Sequence, residues 1–137
     1  MTYKSTLLYT WNGLPTSGLD PLATKTVKEV DFPVPAVDYP HLSTDPEGLA
    51  LNKDGTFWMS DEYGPYIYLL SSKGKVLQTI VPPDAIIPKH NGKNNFTGGT
   101  DPQTGRSLTK TSHRIPPLFY VPDTDSWTCT LLKALEG

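Results

Sequence analysis

The residues best suited to chemistry in this 137-residue sequence are four carboxylic acids: Asp45, Glu47, Asp61 and Glu62. They flank two short runs of β-strand composition, Glu47–Leu51 and Thr56–Ser60. If these runs pair as neighbouring antiparallel strands, the start of the first lies beside the end of the second. The sequence therefore predicts that the four carboxylates converge on one rim of a sheet.

Two interpretations of this acidic set remain open from the residues alone. Crowded carboxylates repel each other and are stabilised by a cation or by protonation of one member. Oxygen-only ligand sets suit calcium or magnesium better than zinc, and calcium would polarise a phosphoryl oxygen and activate a bound water. In the alternative, Asp45 and Asp61 accept hydrogen bonds from loop N–H groups while Glu47 and Glu62 are solvated. The nearby tyrosines have the same ambiguity between ligand contact and packing: Tyr63, Tyr66 and Tyr68.

The elements that would position these acids form an antiparallel meander. Asn52–Gly55 is a turn signal, because Asn, Asp and Gly tolerate the backbone angles of a tight reversal. Two further runs, Tyr66–Ser71 and Val76–Val81, follow the second strand and are separated by the turn sequence Ser72–Lys75. Upstream, Thr26–Phe32 alternates polar and apolar residues, which predicts an outer strand of the same sheet.

An all-β fold follows from composition and from the two faces of the meander. Fourteen prolines and eleven glycines favour loop-rich β structure over helices. Phe57 and Met59 point to one face of their strand and Trp58 to the other, so both faces are apolar. Such a sheet needs a neighbouring sheet on each face, as in the four-stranded blades of a β-propeller. The predicted fold class is therefore all-β, with antiparallel, propeller-like blades.

Composition also argues against several functional classes. A net charge of −2 is too small to indicate a nucleic-acid-binding surface. No apolar run approaches the roughly 20 residues of a membrane span, and the first residues lack the pattern of a signal peptide. The lone cysteine, Cys129, excludes an intrachain disulfide. Asn95-Phe96-Thr97 fits the acceptor pattern for N-linked glycosylation, a modification that takes place only in proteins that enter the secretory pathway.

Three sequence strings resemble the esterase-like phytase family of β-propeller proteins: DPEGLA at 45–50, DGTFW at 54–58 and SDEYGPYIY at 60–68. A later PDAIIP string and a loop ending in DPQTGR extend the resemblance over residues 40–106. It implies a hydrolase, often secreted and so extracellular, that acts on a small-molecule phosphate ester. It also implies catalytic roles for Glu47, Asp61 and Glu62, with Asp45 as an accessory. Together with the oxygen-ligand argument, this predicts a calcium site on the whole set, with one member as general base: Asp45, Glu47, Asp61 and Glu62.

The chain departs from the family pattern after Arg106, because residues 107–137 lack the next blade with its E-G-L motif. A closed propeller takes at least four blades of four strands, whereas this length holds roughly two or three. Residues 1–137 are therefore interpreted as one incomplete propeller domain, with three origins open: a fragment, a frameshifted gene model or a truncated paralogue. The exposed sheet faces of an incomplete propeller favour self-association. Two other functions stay open: a non-catalytic binding or assembly module, and a lactonase-like hydrolase on a six-bladed propeller.

Overall fold

The computed structural model describes residues 7–97 and two short strands further along the chain, at 119–120 and 127–128. These residues form β-strands, turns and one short 3-10 helix, and no α-helix, which confirms the predicted all-β class. No helix in this part of the chain has the length and apolar character needed to cross a membrane. The strands in chain order are β1 Thr10–Trp11, β2 Leu14–Pro15, β3 Ala23–Val27, β4 Val30–Val34, β5 Pro46–Leu51, β6 Phe57–Asp61, β7 Ile67–Leu70, β8 Val76–Ile80, β9 Lys89–His90, β10 Lys93–Asn94, β11 Phe119–Tyr120 and β12 Trp127–Thr128.

Strands β5 to β8 form the largest sheet, an antiparallel meander with the order β5-β6-β7-β8, and this confirms the predicted arrangement. The β5–β6 turn is tight because Gly55 adopts a φ of 84° and Asp54 Oδ1 accepts the Thr56 N–H at 2.9 Å. Gly74, at a φ of 78°, reverses the chain between β7 and β8. Four consecutive antiparallel strands are the make-up of a propeller blade. The described residues contain one sheet of this size, and they close no ring of blades.

The core lies on one face of this sheet and is rich in aromatic rings. Its strand residues alternate along β6 and β7, as a common face requires: Phe57, Met59, Tyr68 and Leu70. Other parts of the chain cover them with large side chains: Trp11, Phe32, Leu42, Tyr66 and Phe96. Tyr66 is central, because its ring centroid lies 5.5 Å from that of Phe32 and 5.9 Å from that of Phe96. This aromatic cluster fixes the loop between β6 and β7, in which Tyr66 lies.

Strand β5 leaves large apolar side chains exposed. Leu49 and Leu51 share the core face by register, since they pair with Met59 and Phe57, yet they are 53% and 69% exposed. On the opposite face Trp58 is half-buried. Both faces of the sheet therefore carry apolar groups, as the sequence predicts.

The predicted single strand Thr26–Phe32 is wrong, because this stretch is a hairpin. Strands β3 and β4 pair antiparallel, with Val27 opposite Val30, in a two-stranded sheet separate from the meander. The reversal at Lys28 and Glu29 uses positive φ angles of 49° and 67°, which are typical of a type I′ turn. Asn and Gly normally signal such a turn, and neither is present here.

The remaining described segments are short. A 3-10 helix at Asp84–Ile86 leads to the β9–β10 hairpin, and β11 pairs with β12. Residues 98–118, 121–126 and 129–137 lie outside the described structure. The departure from the family pattern after Arg106 and the lone Cys129 therefore fall mostly on residues that the structure does not describe.

The N-terminal segment packs across the meander and supplies part of the site. The Thr10 N–H donates to the Gly74 carbonyl at 2.9 Å, which joins β1 to the β7–β8 turn. Further along, the Ser17 N–H donates to the Leu42 carbonyl and the Thr44 N–H to the Ser17 carbonyl, each at 2.8 Å. These bonds hold Ser17 beside the chain entering β5.

Candidate metal centre

A β-bulge in β5 shapes the end of the sheet that carries the acids. Pro46 lies opposite Asp61 and Gly48 opposite Ser60, so Glu47 is the inserted residue of the bulge. A bulge bends its strand and redirects side chains, and bulges are common beside functional sites. Pro46 begins the strand, a position where its missing N–H is tolerated.

Three carboxylates meet at this end of the sheet: Asp45, Glu47 and Glu62. Each offers one carboxylate oxygen, and these oxygens all lie within 4.8 Å of one another. Asp45 and Glu62 are half-buried, whereas Glu47 is exposed. The Glu62 N–H donates to the Asp45 carbonyl at 3.0 Å, which holds the two backbones side by side. The structure thus brings together three of the four predicted acids; we call these three the acidic group.

The fourth acid, Asp61, lies outside the acidic group. Its side chain is only 1% exposed, and its oxygens accept backbone hydrogen bonds. Oδ2 accepts the Asp45 N–H and Oδ1 the Gly64 N–H, each at 3.0 Å. Burial raises the pKa of Asp61 to about 7, although the same backbone donors favour its charged form. For Asp61 the structure therefore shows the loop-capping arrangement, which ties together the segments that carry Asp45 and Glu62.

One further acid near this site, Asp20, is missed by the sequence-based prediction. The Tyr63 hydroxyl donates to Asp20 Oδ1 at 2.7 Å. That bond, together with burial and the charges of neighbouring acids, raises the pKa of Tyr63 to about 12, so the phenol is neutral at physiological pH. No local pattern identifies Asp20, because it precedes Tyr63 by 43 residues and reaches it through long-range packing. Tyr66 and Tyr68, by contrast, are fully buried and pack in the core.

The acidic group fits a hard divalent cation by donor chemistry and spacing. Calcium binds carboxylate oxygens at about 2.3–2.6 Å, so two ligand atoms of one ion lie at most roughly 5 Å apart. The 4.8 Å limit on the separations of the three oxygens agrees with that geometry. Zinc sites in proteins generally include nitrogen or sulfur ligands, and the acidic group has neither. Since calcium takes about six to eight oxygens, three carboxylates leave positions for water or substrate.

The sequence matches the family described as "Phytase-like: Esterase-like activity of phytase" over residues 5–110. The chain belongs to the phytase-like family. The match includes the strings at 45–68 on which the resemblance was based, and it contains the acidic group and Asp61. The family indicated by the sequence is therefore confirmed.

A curated relative of this phytase-like chain is 39% identical over 122 aligned positions. It is named "Uncharacterized secreted protein" and comes from Arthroderma benhamiae. The alignment covers 70% of this chain and 24% of the relative, so the chain spans about a quarter of that protein's length. No solved structure matches the phytase-like chain.

Proposed function

We propose that this phytase-like chain supplies the metal-binding part of a phosphoesterase that hydrolyses a small-molecule phosphate ester. The observation that supports this most directly is the approach of the Asp45, Glu47 and Glu62 oxygens to within 4.8 Å. Three negative groups at that separation repel each other, and they also repel a phosphate. A divalent cation removes both repulsions. The family description, esterase-like activity of phytase, supports the same class of reaction.

The side chains at this end of the sheet have different parts in the proposed reaction. A bound calcium ion would supply positive charge to a phosphoryl oxygen and lower the pKa of a water. Asp45, Glu47 and Glu62 would hold the ion. Glu47 is the exposed member, so it is the best placed to accept a proton from water as general base. Asp61 is buried and acts through other residues, because its bond to the Asp45 N–H helps fix where that acid lies.

We also propose that the protein works outside the cell. The relative from Arthroderma benhamiae is named as a secreted protein. Among the described residues this group has three carboxylates, one of them exposed, and few charged ligands give a weak calcium site. Calcium sites of extracellular modules are weak, with dissociation constants of about 10⁻⁴–10⁻³ M, and calcium outside cells is sufficient to fill them.

The proposed activity is tested with the intact protein that carries this chain. An aryl phosphate and inositol hexakisphosphate serve as substrates, and turnover is measured with calcium and then with a chelator. We expect the chelator to abolish turnover and added calcium to restore it. Glu62→Gln and Glu47→Gln are expected to lower kcat/KM by roughly 10-fold or more and to raise the calcium concentration required.

Glu29→Gln is the matched control, because Glu29 is an exposed glutamate in the β3–β4 turn. It removes the same charge and is expected to change neither turnover nor calcium dependence. Full turnover in the Glu47→Gln/Glu62→Gln double variant would contradict the proposal.

A further inference from the structure

The triplet Asn95-Phe96-Thr97 follows β10 and is anchored by its middle residue. Phe96 is 3% exposed, and its ring centroid lies 5.9 Å from that of Tyr66 in the core. The residues on either side of it are half-exposed. In the whole sequence, Asn95 alone among the asparagines is followed two positions later by Ser or Thr. The core thus fixes this triplet in place and keeps Asn95 and Thr97 at the surface.

One hydrogen bond orients the Asn95 side chain through its oxygen atom, and a second fixes the Asn95 backbone. Oδ1 accepts the Thr97 N–H at 2.8 Å, and the Asn95 N–H donates to the Pro88 carbonyl at 2.8 Å. Within residues 7–97 no acceptor bonds Nδ2 of Asn95. The preceding residue differs, because Asn94 Nδ2 donates to Asp31 Oδ2 at 2.9 Å. Nδ2 of Asn94 is therefore used in a hydrogen bond within the protein, whereas Nδ2 of Asn95 is available for reaction.

We propose that Asn95 carries an N-linked oligosaccharide. This rests on the proposed extracellular location, because the donor, an oligosaccharide on a lipid diphosphate, is met in the secretory pathway. In the transfer, Asn95 Nδ2 forms a bond to the anomeric carbon of the first sugar. The bond from that carbon to the diphosphate oxygen breaks, and its electron pair leaves with the lipid diphosphate. The proton that Nδ2 loses passes to a base of the transferring enzyme.

The test is glycopeptide mapping of the intact protein secreted by a eukaryotic host. One form keeps its natural N-terminus, and a second form carries a foreign secretion leader. We expect the peptide that contains Asn95 to carry the oligosaccharide, and an amidase that releases N-glycans to leave aspartate at this position. Asn95→Gln and Thr97→Ala are expected to abolish the modification, whereas Thr97→Ser retains it because the hydroxyl of the acceptor pattern is kept.

Comparison of the two forms shows whether a negative result contradicts the glycosylation of Asn95 or the proposed extracellular location. Unmodified Asn95 in protein that has been secreted with either N-terminus overturns the inference. If the natural form stays inside the cell while the form with the foreign leader is modified at Asn95, the proposed location is wrong and the acceptor site stands.

Discussion

Burying a carboxylate costs free energy unless hydrogen-bond donors replace its water. At Asp61 those donors are backbone N–H groups from Asp45 and Gly64, which belong to separate segments of the chain. An amide at this position offers one oxygen where the carboxylate offers two, so asparagine cannot accept both bonds in the same way. The acid therefore fixes the spacing between the start of β5 and the loop after β6.

Replacing Asp61 with alanine is expected to destabilise the protein. Asp61→Ala leaves two N–H groups without their acceptor, and we expect the free energy of unfolding to fall by about 2–4 kcal/mol. Urea unfolding of the chain measures this. The matched control is Asp38→Ala, at an exposed loop position, which is expected to change stability by less than about 0.5 kcal/mol. Equal losses in the two variants would show that the buried bonds contribute little.

The buried tyrosines predict a loss of stability at alkaline pH. Burial raises the pKa of Tyr66 and of Tyr68 above the usual value of 10. A pKa raised in the folded state gives stability that is complete below pH 10 and is lost as the pH rises further. Each tyrosine is expected to contribute a loss of up to about 1.4 kcal/mol per pH unit. Urea unfolding at pH 9 to 12, followed with tyrosinate absorbance, measures the slope.

Tyr66→Phe separates the two contributions to that slope. The variant loses the hydrogen bond from the Tyr66 hydroxyl to the Asp31 carbonyl, so we expect it to be less stable at neutral pH by about 1 kcal/mol. The free energy of unfolding of this variant is expected to fall less steeply above pH 10, because phenylalanine has no hydroxyl to ionise in the unfolded chain. An unchanged alkaline slope in this variant would contradict the assignment.

The loop between β6 and β7 is packed too closely for a side chain at Gly64. A Cβ atom there would lie 2.6 Å from Tyr66 Cδ2 and 3.3 Å from Pro33 Cδ. We expect Gly64→Ala to displace the loop and to cost about 1–3 kcal/mol of stability. If the acidic group binds calcium as proposed, the variant is also expected to bind terbium, a luminescent calcium analogue, more weakly. Gly18→Ala is the control, because a Cβ atom at Gly18 meets nothing within 4 Å. Urea unfolding measures the stability of each variant, and terbium luminescence measures metal binding. Equal results for Gly64→Ala and Gly18→Ala would show that close packing at Gly64 does not restrict this loop.

The strands of the meander were predictable because their signals are local. Gly55 marks a reversal, and the run Thr56–Ser60 combines one β-branched residue with two aromatic residues. The hairpin at Lys28 and Glu29 was missed because neither residue type signals positive φ. Asp20 was missed for a different reason, since its contact with Tyr63 depends on the packing of a distant segment. The roles of the acids also depend on tertiary structure, because burial separates Asp61 from Glu62 although they are adjacent in sequence.

At the scale of the whole molecule, the exposed core face of β5 predicts self-association of the isolated chain. Leu49 and Leu51 are 53% and 69% exposed beside a packed core, and this chain spans only about a quarter of its relative. We expect the 137-residue chain to form concentration-dependent oligomers, because a contiguous apolar face favours association. Sedimentation velocity over a range of concentrations measures this.

Substitution of the two leucines tests whether this face is responsible. Leu49→Thr with Leu51→Thr keeps residues that favour β-strands and is expected to shift the chain toward monomer. Val37→Thr changes an exposed apolar residue outside the strands and is expected to leave association unchanged. A wild-type chain that is monomeric at all concentrations would contradict the prediction.

The hydrogen bond from Thr10 to Gly74 has a consequence for the order in which the chain folds during synthesis. Contacts within the meander are local in sequence and form readily, whereas β1 must wait for the β7–β8 turn. At about 5–20 residues per second, the ribosome needs roughly 3–13 s to proceed from Thr10 to Gly74. During that interval Trp11 lacks the β7–β8 turn against which β1 is held. Strand β1 therefore leaves the ribosome before the turn on which it docks, and a chaperone that binds nascent apolar segments has several seconds in which to meet it.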